Sequence, residues 1–180
     1  DGKLWQKPQG ARYVVFYYNG ISNKLKEYDI SLKDKQVLSV IFKLNKTQDV
    51  IITGYYSKDF HFSVSGTIQF VIGAHGAAMK SANFMPFNKE FLEQFDVEYD
   101  LVRNPSIPDF YLDHMVLNDR NEVIMIGEQY YVSQNTITDP TTGRQTIEYR
   151  YNFDEIIVTK ADSAGKHLWN LKIPKRQFTI

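Results

Sequence analysis

Short apolar runs separated by Gly, Asn, Asp or Pro dominate the chain, and this pattern predicts antiparallel β-strands. The first run, residues 13–18, is apolar throughout, as expected of a strand that is covered on both faces. The other predicted strands cover residues 25–32, 37–44, 50–56, 66–72, 111–117, 123–132, 147–159 and 167–173. Many short strands joined by turn residues indicate an all-β protein.

One segment, residues 88–96, carries the signals of a short helix. Asn88 suits the N-cap, and Glu90 lies in the first turn, where a carboxylate is favourable. The apolar side chains that share one face of this helix are Phe91, Leu92 and Phe95. We predict that this is the one substantial helix and that these side chains are buried against a sheet.

A self-comparison of the sequence finds an internal match. Residues 44–54 (LNKTQDVIITG) align with residues 117–127 (LNDRNEVIMIG) at an offset of 73, with five identities. Residues 14–16 also match residues 156–158 at an offset of 142. Either the chain contains a true repeat, or the match reflects the shared composition of β-hairpins.

The order of the matched pieces favours a repeating unit of four antiparallel strands, which is the composition of a propeller blade. Because blades repeat every ~40–50 residues, an offset of 73 requires an insertion, which residues 88–108 supply. We therefore predict about two and a half β-propeller-like blades in residues 1–180, with repeat-like halves at about 12–87 and 109–174.

This arrangement places Gly54 and Gly127 at equivalent positions near the ends of equivalent second strands. It also leaves an uncovered apolar face on each terminal unit, because repeat units rely on their neighbours for burial. We expect a second copy, a partner protein or further blades to cover these faces, so that the isolated chain is an oligomer or is poorly soluble. The alternative is a compact sandwich or barrel whose units close on each other.

Composition limits the classes of function. Hydrophobic residues make up 43% of the chain, which argues against global disorder. The 21 Lys and Arg residues balance the 21 Asp and Glu residues, so the sequence lacks the basic character expected of a nucleic-acid-binding or membrane-surface protein. The longest uncharged stretch, residues 62–79, is interrupted by polar residues and glycines, and we do not expect it to span a membrane.

The residues that carry metal and cofactor chemistry are sparse. The chain has no cysteine, which excludes disulfides, thiolate metal sites and cysteine nucleophiles. The four histidines are His61, His75, His114 and His167, and no two of them have the helical spacing of a zinc site. Residues 73–76 match no nucleotide-binding motif, and residues 118–122 lack the ligand pattern of a calcium loop, so both are interpreted as turns. We expect no metal and no cofactor.

Catalytic candidates are limited to carboxylates. Asp113 and Glu128 can meet across two strands, with His114 close to them, whereas the neighbours Asp154 and Glu155 should face opposite ways in a strand. No serine-nucleophile motif is present. Acidic residues at strand ends are usually solvated, so we predict that the protein is not an enzyme.

The segment from 123 to 159 predicts a long hairpin whose turn is DPTTG, residues 139–143. If Asp139 pairs with Arg144, one face of the hairpin becomes largely aromatic and the other polar. The opposed pairs on the aromatic face are Tyr130–Phe153, Val132–Tyr151, Gln134–Tyr149 and Thr136–Ile147. Tyr130, Tyr149 and Tyr151 are therefore candidate binding residues for sugar rings or a partner protein, unless they pack on a neighbouring blade.

Several segments resemble an uncharacterised family of exported bacterial proteins. These segments are KLKEYDISLKDK (24–35), DVIITGYYS (49–57), SVSGTIQFVI (63–72), EQYYV (128–132), DPTTG (139–143), DEIIVTK (154–160) and IPKRQ (173–177). The resemblance implies a propeller-like fold and a location in the bacterial cell envelope, in the periplasm or at the cell surface. It implies longer relatives, of which this chain is a fragment or a truncated member, and it supplies no activity.

The functional expectation is a non-enzymatic envelope scaffold or protein-interaction module. Its partners would be other envelope proteins or further blades of the same protein. The first alternative is a carbohydrate-binding module that uses the hairpin tyrosines. The second is a fragment of an envelope enzyme whose site lies partly outside this chain.

Overall fold

A computed structural model describes residues 13–30, 32, 35–58, 63–95 and 106–180. The chain is all-β, as predicted, and its strands form three stacked layers. The first layer is a two-stranded N-terminal hairpin of β1 (Tyr13–Asn19) and β2 (Lys24–Ile30). Its inner side chains pack on the second layer, which we call sheet 1.

Sheet 1 is a four-stranded antiparallel meander. Its strands, in spatial order, are β3 (Gln36–Leu44), β4 (Val50–Ser57), β6 (Gly66–Ile72) and β7 (Met79–Pro86). The short β5 (Ser63–Val64) pairs with β8 (Ile107–Pro108) outside both large sheets. The sequence pattern missed β7, because MKSANFMP has no clean alternation and ends in proline, which an edge strand tolerates.

Sheet 2 repeats the meander with longer strands. Its order is β9 (Phe110–Leu117), β10 (Val123–Thr138), β11 (Gln145–Ala161) and β12 (His167–Ile173), and β13 (Gln177–Thr179) pairs with the outer part of β11. The outer parts of β10 and β11, from Tyr130 to Phe153, project as the long hairpin. No sheet among the described strands closes on itself.

The first turns of the two sheets have the same hydrogen-bond network. In sheet 1, the side-chain oxygen of Asn45 accepts from the backbone N–H of Asp49 at 2.8 Å. In sheet 2, the side-chain oxygen of Asn118 accepts from the backbone N–H of Glu122 at 2.9 Å. The residues that precede the two acids, Gln48 and Asn121, both have a positive φ, of 64° and 60°. The predicted turn at residues 118–122 is thereby confirmed.

The short helix lies between the two sheets. Helix α1 (Lys89–Leu92) begins after Asn88, whose side chain accepts from the Phe91 N–H at 2.8 Å. The predicted N-cap and the burial of the apolar face are confirmed, although α1 is shorter than expected and Asp96 lies outside the described residues. The buried side chains of this face are Phe91, Leu92 and Phe95. No helix in the described part of the chain has the length and apolar character to cross a membrane.

The two hydrophobic cores lie on opposite faces of sheet 1. Ile52 and Tyr56 of β4 face the N-terminal hairpin, whereas Ile51 and Tyr55 face sheet 2. The expectation that residues 13–18 are covered on both faces is wrong, because the outward-facing Phe16 is 61% exposed. Only the face of β1 that contacts sheet 1 is covered among the described residues.

Gly54 and Gly127 are each the fifth residue of the second strand of their sheet. A Cβ on Gly54 would collide with the carbonyl oxygen of Ser39. A Cβ on Gly127 would lie 2.5 Å from the hydroxyl oxygen of Tyr55 and 2.6 Å from the carbonyl oxygen of Tyr111. The absence of a side chain at Gly127 therefore lets the Tyr55 ring of sheet 1 rest directly on the backbone of sheet 2.

Candidate functional site

Sheet 2 has one covered face and one open face. The covered side chains include Met115, Met125 and Ile157, which are buried against sheet 1. Residues directly opposed on neighbouring strands share a face, so the pairs Ile126–Val158 and Val158–Leu171 lie together on the other side. We call this side the outer face. Its residues are Tyr111, His114, Val116, Ile124, Ile126, Glu128, Ile156, Val158, Lys160, Trp169, Leu171 and Ile173.

The outer face is apolar along its centre and open at both flanks. On the edge strand β12, Trp169 is 44% and Leu171 51% exposed, and on β9 Val116 is 48% exposed. No described element packs over these side chains. Monomeric proteins rarely expose contiguous apolar surface of this extent, so the outer face is the leading candidate for an interaction surface.

The outer face continues onto the aromatic side of the long hairpin. The Tyr130 ring lies between the Tyr111 ring, with centroids 6.3 Å apart, and the Phe153 ring, at 5.1 Å. The predicted register is confirmed, since Tyr151 opposes Val132 and Tyr149 opposes Gln134. The three sequence-predicted tyrosines therefore lie in a row, of which Tyr149 (47%) and Tyr151 (40%) are the more exposed members.

The opposite side of the long hairpin is polar, as predicted, and holds its strands in place. The Tyr131 hydroxyl donates to Asp154 at 3.0 Å, and the Arg150 guanidinium lies 4.4 Å from the centroid of the Phe178 ring on β13. The Asn152 amide donates to the Ser133 hydroxyl at 3.1 Å. These contacts fix the backbone that presents the tyrosine row.

Two ion pairs lie at opposite ends of the outer face. At the end near the long hairpin, Lys175 pairs with Glu128. At the other end, Lys160 pairs with Glu122 at 2.9 Å. The outer face thus carries an acidic position and a basic position, separated by its apolar centre.

The sequence-predicted trio of Asp113, His114 and Glu128 does come together. These residues line a shallow cleft of about 430 Å³ with Ile126 and Ile156. Burial, and next the charge of Glu128, raise the pKa of Asp113. Because Lys175 pairs with Glu128, that carboxylate has a fixed partner within the chain.

A second, polar cleft of about 410 Å³ lies behind the long hairpin. Asp154 and Glu155 both line it, so the expectation that they face opposite ways is wrong. The reason is an irregularity in the β10–β11 pairing, where Glu128 opposes Ile156 but Tyr130 opposes Phe153. Both carboxylates have partners in the chain, Tyr131 for Asp154 and Lys172 for Glu155.

The described histidines serve structural contacts or lie on the surface. His167 is half-buried between the sheets, 2.5 Å from the Thr67 hydroxyl, and its partial burial lowers its pKa to about 4. Within the described ranges, no three His, Asp or Glu side chains lie close enough together to hold a metal ion. His61 lies outside these ranges.

The glycine-rich segment at residues 73–76 is a turn between β6 and β7, as predicted. The backbone N–H of Ala74 donates to the Asp49 carboxylate at 2.8 Å, and Lys80 binds the same carboxylate at 2.8 Å. The Lys80 hydrogen bond holds the pKa of Asp49 below its usual range. Asp49 therefore occupies the Ala74 amide that a bound phosphate would need.

Sequence reasoning missed the part of the site on β12. Trp169, Leu171 and Ile173 alternate with polar residues, which is a clear strand signal. Such alternation normally places the apolar side toward the core. Here it is the polar side that faces the protein, where Lys172 pairs with Glu155.

Comparison of this chain with family models, with curated proteins and with solved structures finds no match. The geometry of the outer face and of the long hairpin is therefore the basis on which a function is inferred.

Proposed function

We propose that the chain is a non-enzymatic protein-interaction module, exported to the bacterial cell envelope, which docks an apolar β-sheet face of another protein chain on its outer face. The observation that carries this proposal is the continuous open apolar surface on sheet 2, next to a sheet 1 whose central strands β4 and β6 are covered on both sides. The envelope location is supported by the sequence resemblance alone.

We further propose that the layers are propeller-like blades related by an internal repeat. The matched turn networks and the equivalent places of Gly54 and Gly127 support this interpretation. The layers also approach most closely at their first strands, β3 and β9, where the Leu112 N–H donates to the Ser39 hydroxyl at 3.3 Å. The segment that follows α1 contacts the last strand of the sheet 2 meander, since the Lys172 amine donates to the carbonyl oxygen of Gln94 at 2.6 Å.

The test of the proposed function begins with an affinity-tagged chain cross-linked in its native cells. The partner is then identified, purified and titrated against the chain. We expect Val158→Glu to weaken that binding about 100-fold, because it places an unpaired charge in the apolar centre. Ile137→Glu is the matched control, since Ile137 is 51% exposed on the opposite side of the long hairpin.

Equal binding by the wild type and by Val158→Glu would contradict docking on the outer face. Turnover of a substrate by the purified chain, lost on Asp113→Asn, would contradict the assignment of a non-enzymatic role. Circular dichroism of each variant shows whether the fold is retained.

Carbohydrate binding by the long hairpin is the second candidate, favoured by the exposure of Tyr149 and Tyr151. Flat aromatic rings in a row stack well on sugar rings. On a glycan array, this function predicts a signal that Tyr149→Ala and Tyr151→Ala each abolish and Ile137→Ala preserves. A wild-type chain that binds no glycan would eliminate it.

A further inference from the structure

We propose that the partner on the outer face is the outer face of a second copy of this chain, so that the protein forms a two-fold symmetric dimer. This inference rests on the proposed function, because it identifies the occupant of the same surface. Sheet 2 of one copy would stack on sheet 2 of the other, and the three layers of each chain would become six.

The available area favours this pairing over a head-to-tail arrangement, in which the outer face of one copy would contact the outward side of the N-terminal hairpin of the next. Four strands spaced ~4.8 Å apart and about seven residues long, at ~3.3 Å per residue, cover roughly 440 Å² in projection. Because protruding side chains make the accessible area larger than the projected area, such a face approaches the ~800 Å² per partner of a standard interface. The outward side of the N-terminal hairpin has only two strands and offers about half of that area.

The charged positions on the outer face are compatible with a two-fold axis that runs across the strands, because Glu128 and Lys160 are each neutralised by an ion pair within their own chain. Such an axis reverses the strand direction and keeps the middle of each strand over its counterpart. The Glu128–Lys175 pair, at one end of β10, then lies near the Lys160–Glu122 pair of the second copy, because Lys160 directly opposes Ile124 near the other end. The two ends of the face therefore meet as neutral ion pairs. Val158 and Ile126, at the centre, meet their own counterparts in an apolar contact.

Sedimentation equilibrium from about 1 to 100 µM tests the dimer with the intact chain. We expect a concentration-dependent rise from 21.0 kDa to twice that mass. Val158→Glu places two like charges together at the axis and should weaken the dimer at least ~100-fold. Ile137→Glu should leave the dimer unchanged.

The position of the axis is tested by cross-linking. Because the chain has no cysteine, a single Val158→Cys can be cross-linked to its own counterpart by a short bis-maleimide. Efficient cross-linking of Val158→Cys and little of Ile137→Cys is the expected result. A head-to-tail arrangement would give a dimer in which Val158→Cys does not cross-link, and this outcome would overturn the inference.

The failure of this inference is distinguishable from the failure of the proposed function. A wild-type chain that stays at 21.0 kDa throughout overturns the dimer and leaves binding to a different protein open to the titration described above. A dimer that Val158→Glu does not weaken also overturns this inference alone, because the contact would then avoid the outer face and leave it free for a different protein.

Discussion

Sheet 1 and sheet 2 are built from the same four-stranded meander, and they differ in what covers them. In sheet 1, every residue of β6 is buried, because the N-terminal hairpin covers one face and sheet 2 the other. In sheet 2, burial along the first half of β10 alternates between buried and half-buried positions. The difference shows that strands in the same meander order can form either an interior layer or a layer with one open face, depending on which elements lie next to them.

The largest expected effect comes from matched isoleucines in the two sheets. Ile51 and Ile124 lie at the offset of 73, but Ile51 is 2% exposed whereas Ile124 is half-buried. We measure the free energy of unfolding in urea at a protein concentration low enough to keep the chain monomeric. We expect Ile51→Ala to lower it by about 3–4 kcal/mol and Ile124→Ala by about 1–2 kcal/mol. Equal costs would show that the sheets are covered alike. A cost for Ile124→Ala that grows with protein concentration would indicate that dimerisation buries it.

Gly127→Ala tests the contact between the sheets. The added methyl group would meet the Tyr55 hydroxyl and the Tyr111 carbonyl oxygen, so we expect a loss of about 2–3 kcal/mol in the free energy of unfolding. Gly20→Ala is the control, because its nearest neighbouring atom would be 3.9 Å away. In a Tyr55→Leu background the cost of Gly127→Ala should decrease, and a cost that does not change would contradict the contact.

We expect His167 to make the interface between the sheets sensitive to acid. Burial lowers its folded-state pKa from 6.5 to about 4, so the unfolded chain binds the proton more tightly. The stability from the neutral ring is complete above pH ~6.5 and is lost as the pH falls toward ~4.

Between these pH values, we expect His167→Gln to remove about 1–2 kcal/mol of the change in the free energy of unfolding. This is less than the full pKa shift of His167 implies, because the ring is partly exposed. The measurement is the free energy of unfolding at several pH values. A slope that His167→Gln leaves unchanged would mean that the ring is not held neutral.

The smallest expected effect is a gain in stability. The Tyr55 hydroxyl is buried and has no hydrogen-bond partner among the described residues. Removing it in Tyr55→Phe should raise the free energy of unfolding by about 1 kcal/mol, because an unpaired buried hydroxyl is costly. Tyr131→Phe should do the reverse, since its hydroxyl donates to Asp154. Destabilisation by Tyr55→Phe would reveal a partner for that oxygen.

The parts of the fold that local chemistry determines could be predicted from the sequence. The turn at residues 139–143 determined the register of the long hairpin, and Asn88 marked the start of α1. Residues 118–122 formed the predicted turn because the Asn118 side chain binds the backbone two and four residues ahead.

The parts that depend on neighbouring layers could not be predicted. Alternation shows that a strand has an apolar face but not whether another layer covers that face, as Phe16 and Trp169 demonstrate. The match at an offset of 142 illustrates the same limit. It pairs Val15, which faces sheet 1 from the N-terminal hairpin, with Ile157, which faces sheet 1 from the opposite side.

The contact between the Tyr55 ring and the backbone at Gly127 has a consequence for the order of folding. The two residues are far apart in the chain, and the adjacent bond from the Thr53 hydroxyl to the Met125 sulfur joins residues separated by 72 positions. Each meander can form from short-range pairings, but this junction must wait for two completed sheets to meet, and such non-local steps are slow. We therefore expect assembly of the layers, rather than formation of the hairpins, to set the folding rate. Separate meanders with exposed apolar faces should then accumulate briefly before the sheets pack together.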